Sequence, residues 1–278
     1  GVAMEGRIPR LLAHDEERQV LAIELLSGRE SLGECHRRLL RFPAEAAGSL
    51  GDALGRLHRA SRSMVSDETA RRGFSGRIPW VLNAGRPEAI PLHTQMGGSL
   101  QLMAIVQRYP EIRDQLDPVR AGWRAEALIH GDVKWDNCLV SVAEDGTPTG
   151  ELHLIDWEMA DVGDPAWDVG GVLQSYLSFW VFCLPAAKGS TTAQMIRSAP
   201  FTLESMHPAL REFWRGYREA AGLGTDADRF LRASARYAAA RAIQTAYESL
   251  PSSPQLTPQA VLLLQISLDG FDGLVEGD

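Results

Sequence analysis

The chain has 278 residues, 45% hydrophobic and 23% charged, which is enough apolar material for a large core in one domain or two lobes and too much for a disordered class. Its 36 acidic and 28 basic side chains leave a formal net charge of −8, which argues against a general nucleic-acid binder and fits an acidic, solubilising surface.

Taken in order, the opening GVAMEGRIPR lacks the apolar stretch of a secretory signal, which points to the cytoplasm. A strand is expected from Val20 to Leu25, followed by Leu26, Ser27 and Gly28. Leu50, Leu54 and Leu57 recur at helical spacing between Ala44 and Ser61, and His58 beside that stripe reads as a structural hydrogen-bonder. A loop rich in Gly, Pro and Ser is expected over Arg71 to Pro91, then helices over Ser99 to Arg108 and Pro110 to Trp123. Cys138 to Val142 and Glu151 to Ile155 read as two strands joined by the turn Glu144-Asp145-Gly146-Thr147.

Val169 to Ala187 carries no formal charge and approaches the roughly 20 residues needed to cross a bilayer. Gln174, Ser175, Tyr176 and Ser178 interrupt it, while Leu173, Tyr176, Leu177, Trp180 and Leu184 recur at helical spacing, so a buried central helix is expected rather than a span. A second loop, Ala186 to Pro200, precedes helices over Glu204 to Ala221, Asp226 to Leu250 and Thr257 to Val275. Cys35, Cys138 and Cys183 are too few for a disulfide framework and read as small buried hydrophobes in a reducing compartment.

The densest chemistry lies between Leu128 and Asp168. His130-Gly131-Asp132 is followed by Asn137, and after the expected hairpin by Asp156 at the end of the apolar run Leu152 to Ile155. Phosphoryl transfer to a hydroxyl needs a weak base at the acceptor and divalent ions across the nucleotide phosphates, with little covalent work from the protein. Asp132 is the candidate base, and the oxygens of Asn137 and Asp156 suit Mg²⁺. Pairing of the two strands would bring Asn137 and Asp156 together.

His-x-Asp-x4-Asn, then Ile-Asp-Trp-Glu, then Gly-Asp-Pro-x-x-Asp, resembles the aminoglycoside phosphotransferase and choline kinase-like superfamily, relatives of the protein kinases. The resemblance is close from Leu128 to Gly171 and looser over Ile8 to Gly28 and Gly51 to Ser61. It implies an α+β, protein-kinase-like fold with a mostly helical C-terminal lobe and a small catalytic β-hairpin. By that resemblance Asp132 is the catalytic aspartate, His130 and Asp168 shape its loop, Asn137 and Asp156 hold Mg²⁺, and Lys134 contacts the transferring phosphate. From the residues alone, Lys134 reads first as a phosphate contact and second as a counter-charge to the carboxylates around it. The interlobe hinge would run through Glu24, Leu25 and Ser27 and receive the adenine of ATP, or the base of GTP. The family's phosphate-covering loop, strand lysine and helix glutamate have no counterpart before Ile8, so 1–28 is expected to be a remnant of the N-terminal lobe and hinge, and 29–278 the helical catalytic lobe.

Trp157 reads as packing, Glu158 as a contact for a basic substrate or for solvent, and Asp161 and Asp164 as loop caps or substrate contacts. The resemblance implies an acceptor region after Asp156, about Trp167 to Arg218, which holds Tyr176, Phe179, Trp180, Phe182, Phe201, Phe213, Trp214 and Tyr217 without a dense run of acids. That pattern disfavours a polycation and reads either as core packing, the usual fate of aromatic stripes on helices, or as a groove for a peptide or a less polar molecule. The resemblance implies a small hydroxyl compound or a peptide Ser/Thr, as in peptide natural-product maturation. Nucleic acid and membrane are not expected partners. The second reading is a kinase-like scaffold whose nucleotide lobe is absent or comes from a partner protein.

Overall fold

The computed structural model describes residues 4–65, 67–185 and 191–275. In chain order it contains β1 (Leu11–Asp15), β2 (Val20–Ile23), β3 (Arg29–Ser31), α1 (Leu32–Leu39), α2 (Ala44–Val65), α3 (Glu68–Arg71), α4 (Gly97–Arg108) and α5 (Pro110–Ala121). Then follow β4 (Ala127–Ile129), β5 (Cys138–Val142), β6 (Pro148–Leu154), β7 (Asp161–Gly163), α6 (Pro165–Cys183), α7 (Thr192–Arg197), α8 (His207–Ala221), α9 (Ala227–Glu248) and α10 (Pro258–Val275). The result is a mixed α+β fold, mostly helical with small sheets.

β1 and β2 form an antiparallel hairpin whose Leu11, Leu12, Val20, Leu21 and Ile23 are each more than half exposed. The strand expected to reach Leu25 stops at Ile23. One further rung forms, from the Glu24 N–H to the Arg10 carbonyl at 2.9 Å, and then the Ser27 N–H turns back to the Leu25 carbonyl. Gly28, at φ +70°, completes the change of direction that a side chain would resist. The chain then enters a three-stranded antiparallel sheet in the order β3-β5-β6, with Glu30 opposite Val140 and Cys138 opposite Leu154. The Leu154 N–H also donates to the Arg7 carbonyl at 2.8 Å, tying the start of the chain to this sheet. β4 and β7 make a separate two-stranded ribbon, Leu128 opposite Val162.

Most expected helices form within a few residues of their expected bounds. The last two appear as α9 and α10, and Glu204 to Ala221 divides into a 3₁₀ turn, Leu203–Met206, and α8. The returning hairpin strand begins earlier than expected, at Pro148. The expected loop 186–200 begins on residues outside those described. Within it, Thr191 caps α7 in a reciprocal box with Gln194, which makes Thr192–Arg197 helical. The loop expected over Arg71 to Pro91 contains a 3₁₀ turn, Trp80–Asn83. α1 was not expected, although Ser31 and Glu34 form a capping box at its start. The central helix is α6, with Asp168 and Gln174 buried inside it, and Ala186 and Ala187 of the uncharged stretch lie outside the described residues. Among the described residues, no helix is long and apolar enough to cross a membrane.

Two helix contacts place the functional segment. α2 and α8 meet at backbone distance, since a Cβ added to Gly51 would lie 2.1 Å from the Phe213 carbonyl oxygen. α6 meets α9 in the same manner at Gly170, 2.7 Å from the Ser234 oxygen. Interiors this tight transmit position from one helix to the next.

His36 on α1 is 1% exposed and packs among Phe42, Trp135, Tyr176 and Phe179, with ring centroids 4.1 to 6.1 Å away. Burial, assisted by the Arg37 charge, pushes its pKa from 6.5 down to about 3. The unfolded chain therefore binds a proton on this ring below pH 6.5 that the folded chain refuses until about pH 3. Its stabilising contribution is full above pH 6.5 and declines on acidification, by at most ~1.4 kcal/mol per pH unit. His36→Gln is expected to flatten stability against pH between 7 and 4 in urea titrations. Parallel curves for the two proteins would contradict this placement of the ring.

Candidate active site

The site is built around a buried carboxylate. Asp164 caps α6 by accepting from the Ala166 N–H at 3.0 Å, Pro165 occupies the first turn, and Asp168 follows in that turn with no exposure. Asp168 Oδ2 accepts the His130 N–H at 2.7 Å and faces His58 Nε2 at 3.1 Å, while Oδ1 accepts the Gly131 N–H at 3.0 Å. His58 Nδ1 meets the Tyr217 hydroxyl at 2.9 Å, so α2, α6 and α8 all converge on the His130 loop. Burial alone would raise the Asp168 pKa, but the hydrogen bond and charge of His58, with His130, outweigh it and hold the carboxyl below its usual value. The helix N-terminus favours the same charged form.

The loop itself has a single path. Gly131 sits at φ +82°, and a Cβ there would lie 2.3 Å from the Met159 carbonyl oxygen. Its carbonyl accepts from Trp167 Nε1 at 2.9 Å and Arg241 Nη1 at 3.2 Å. His130 bonds the Ile155 carbonyl through Nε2 at 2.9 Å and packs against Trp157, whose indole N–H donates to the Leu154 carbonyl.

Asp132 projects from this fixed loop. Its Oδ2 accepts from Lys134 Nζ at 2.6 Å and from Asn137 Nδ2 at 3.3 Å, and its Oδ1 lies 3.8 Å from Arg241 Nη2. Partial burial would lower the Lys134 pKa, but its bond to Asp132 and the charges of Asp132, Asp156 and Glu248 raise it overall. Asn137 also donates to the Asp132 carbonyl at 2.9 Å, which commits its nitrogen to the loop and leaves its oxygen end for another partner. The hairpin does bring Asn137 and Asp156 to neighbouring strand ends, because the Ile155 N–H donates to the Asn137 carbonyl at 3.0 Å. Asp156 stands at φ 64°, ψ 63°, a left-handed conformation that costs a non-glycine residue ~1 kcal/mol or more. An exposed carboxylate at the strand end paired with Asn137, whose amide oxygen is uncommitted, fits hard-cation ligation completed by phosphate oxygens. Among the described residues, no group of three or more His, Cys, Asp or Glu side chains is placed to hold a metal ion.

The other sequence candidates separate. Glu24, Leu25 and Ser27 lie in the connection from β2 to β3. The Glu24 carboxylate accepts from the Arg10 N–H and Nε, and Leu25 is 88% exposed. Asp161 caps the opposite loop through Ser75 and the Gly76 and Arg77 N–H groups, and Asp164 takes the Tyr237 hydroxyl, so both act in loop and helix capping. Of the eight aromatics in the expected acceptor region, Tyr176, Phe179, Trp180, Phe213 and Tyr217 are core. Phe179 and Phe182 line a cleft of about 320 Å³ with Asp132, Lys134, Arg241 and Glu248. A second cleft, about 560 Å³, opens on the Gly131 side between Trp80, Met159 and Trp167.

Arg241 and Trp167 escaped the sequence reading. The signal for Arg241 was a lone cation inside the run Ala238-Ala239-Ala240-Arg241-Ala242, which is buried throughout. Replacing Asp168 by Ala would leave two loop N–H groups and His58 without their partner. It is expected to cost roughly 3–5 kcal/mol in urea unfolding. A loss under ~1 kcal/mol would show that the loop does not depend on this carboxylate.

A family model described as "Phosphotransferase enzyme family" matches residues 2–209. Among solved structures, the chain is similar to a choline/ethanolamine kinase family protein from Mesorhizobium loti, at 16% identity and TM-score 0.51, covering 99% of this chain and 76% of that one. It is similar to choline kinase from Cryptosporidium parvum Iowa II, at 12% identity and TM-score 0.59 with the same coverage, and to a glucosamine kinase, at 20% identity and TM-score 0.54, covering 99% and 69%. No curated protein matches. These likenesses agree on the fold, and the family match spans the His130 loop, the hairpin and α6. The chain belongs to the phosphotransferase enzyme family and is an ATP-dependent phosphotransferase.

Proposed function

We propose that the chain moves the γ-phosphate of ATP, or GTP, to the hydroxyl of a small acceptor in the 320 Å³ cleft, with Mg²⁺ as the divalent ion. The observation that carries this reading is the single fixed loop that presents Asp132 beside Asn137 and Asp156. Asp132 orients the acceptor hydroxyl and takes up its proton as the oxygen attacks the γ-phosphorus, while the bond from that phosphorus to the β–γ bridging oxygen breaks and the nucleoside diphosphate leaves. Lys134 moves from Asp132 to the transferring phosphate, and His130 and Asp168 hold the loop while it does so. Asn137 and Asp156 would hold the divalent ion, which would supply positive charge to offset that of the phosphates. The connection through Glu24, Leu25 and Ser27 receives the nucleotide base, with 1–28 belonging to the nucleotide lobe and hinge and 29–278 forming the helical lobe. The cytoplasm suits both ATP and the free thiols of Cys35, Cys138 and Cys183.

The lining favours an acceptor with little net charge. Asp132, Asp136 and Glu248 face Arg37, Lys134 and Arg241, and the apolar wall of Phe179 and Phe182 would cover a hydrocarbon portion. A polycation would find its carboxylates already matched by cations.

Turnover is to be followed as ADP release with choline, ethanolamine, glucosamine and a Ser-containing peptide as acceptors. Asp132→Asn is expected to lose about 10³-fold in turnover with little change in ATP affinity. Undiminished turnover would remove Asp132 from the mechanism. In calorimetry, Asp156→Ala is expected to abolish the Mg²⁺ dependence of ATP binding, and retention of that dependence would place the ion elsewhere.

A further inference from the structure

Resting on that reading, we infer that Arg241 is a positioning residue for the reaction, a buried cation that fixes both the path of the Gly131 peptide and the orientation of the Asp132 carboxylate. It lies on α9, beyond the 2–209 segment matched by the family model. Its guanidinium donates to the Gly131 carbonyl at 3.2 Å, stands 3.8 Å from Asp132 Oδ1 and covers the Trp167 ring at 4.7 Å. The residue is 5% exposed. Charge in such a place is costly unless its partners require it, and an apolar residue would pack this alanine-rich face more cheaply.

Two further observations separate positioning from packing. First, Arg241 Nε is buried with no hydrogen-bond partner, so the fork is aimed at Gly131 and Asp132 at the expense of its own satisfaction. Second, α6 carries glycine where the guanidinium rests. A Cβ on Gly171 would lie 3.2 Å from both Arg241 Cζ and Nε. The same Gly131 peptide is held at its N–H by Asp168, so it is clamped at both ends.

The geometry divides the Asp132 carboxylate between two cations, with Oδ1 toward Arg241 and Oδ2 toward Lys134. When Lys134 departs for the phosphate, Arg241 stays, held by its bond to the Gly131 carbonyl and its place over the Trp167 ring. Oδ2 is then the oxygen turned to the acceptor hydroxyl, with no rotation of the side chain.

The test pairs Arg241→Met, which keeps much of the aliphatic stem, with Arg241→Lys, which keeps the charge. The measurements are hydrolysis of Mg–ATP with water as acceptor and hydrogen exchange of the 128–134 amides. The Met variant is expected to lose roughly tenfold or more in kcat, with KM for ATP within about twofold, while 128–134 exchanges faster and α2 and α8 keep their protection. The Lys variant is expected to recover part of the kcat. A folded Met variant with unchanged kcat or unchanged exchange at 128–134 would overturn the inference. So would a fall in both variants that tracks protection across the whole molecule, and if only the Lys variant folds, wild-type exchange at 128–134 together with a kcat loss no smaller than that of unrelated core substitutions would overturn it. Asp132→Asn is run beside them: if it turns over normally, the base assignment fails, whereas its inactivity beside a normal Met variant defeats only the role of Arg241.

Discussion

The buried carboxylate of Asp168 is the constraint on which the site depends. A negative charge with no exposure persists only when hydrogen-bond donors surround it. Here the donors are the two backbone N–H groups that shape the His130 loop and a histidine from α2. The fold therefore satisfies the charge and positions the loop with the same three bonds. Tyr217 extends this network to α8, so displacement of any of the three helices is felt at Gly131.

Close helix approach makes that network rigid. Gly51 and Gly170 let α2 meet α8 and α6 meet α9 at backbone distance, and helices in such contact slide little without breaking it. Against this frame the carboxylates of Asp132 and Asp156 stand partly open, while the Asn137 amide is buried beside the loop. Asp132, Lys134 and Asp156 are accessible, and Asp156 holds a left-handed backbone that the hairpin end and the His130 contact to Ile155 keep in place. Rigid support beneath accessible carboxylates is an arrangement that suits phosphoryl transfer, which is dominated by positioning and electrostatics.

The site core was legible because its chemistry is local. Asp132, Asn137 and Asp156 lie within one loop and one hairpin, and strand pairing follows from alternation and a turn signal. Long helices were legible for a similar reason, since a stripe such as Leu50, Leu54, Leu57 repeats over many residues. Short elements were not. β3 has three residues, set by pairing with a strand more than a hundred positions away, and α1 announced itself only through Ser31 and Glu34. The edge strand expected to reach Leu25 stopped early because backbone partners, not side-chain pattern, decide where a hairpin ends. Arg241 was hidden because a helix face shows which residues are buried but not what a buried cation faces. The aromatic residues after Asp168 read ambiguously for the same reason, and packing sent most of them to the core.

The bonds that complete the loop join distant parts of the chain: His58 to Asp168 and Arg241 to Gly131 each span 110 residues. During synthesis, α2 and the hairpin emerge long before α9, and the loop can reach its full set of partners only after the segment bearing Arg241 has cleared the ribosome. Non-local contacts of this kind form late and slowly. A nascent or prematurely terminated chain would thus carry every residue of the His-Gly-Asp motif and both hairpin strands while lacking the bond from Arg241 to the Gly131 carbonyl.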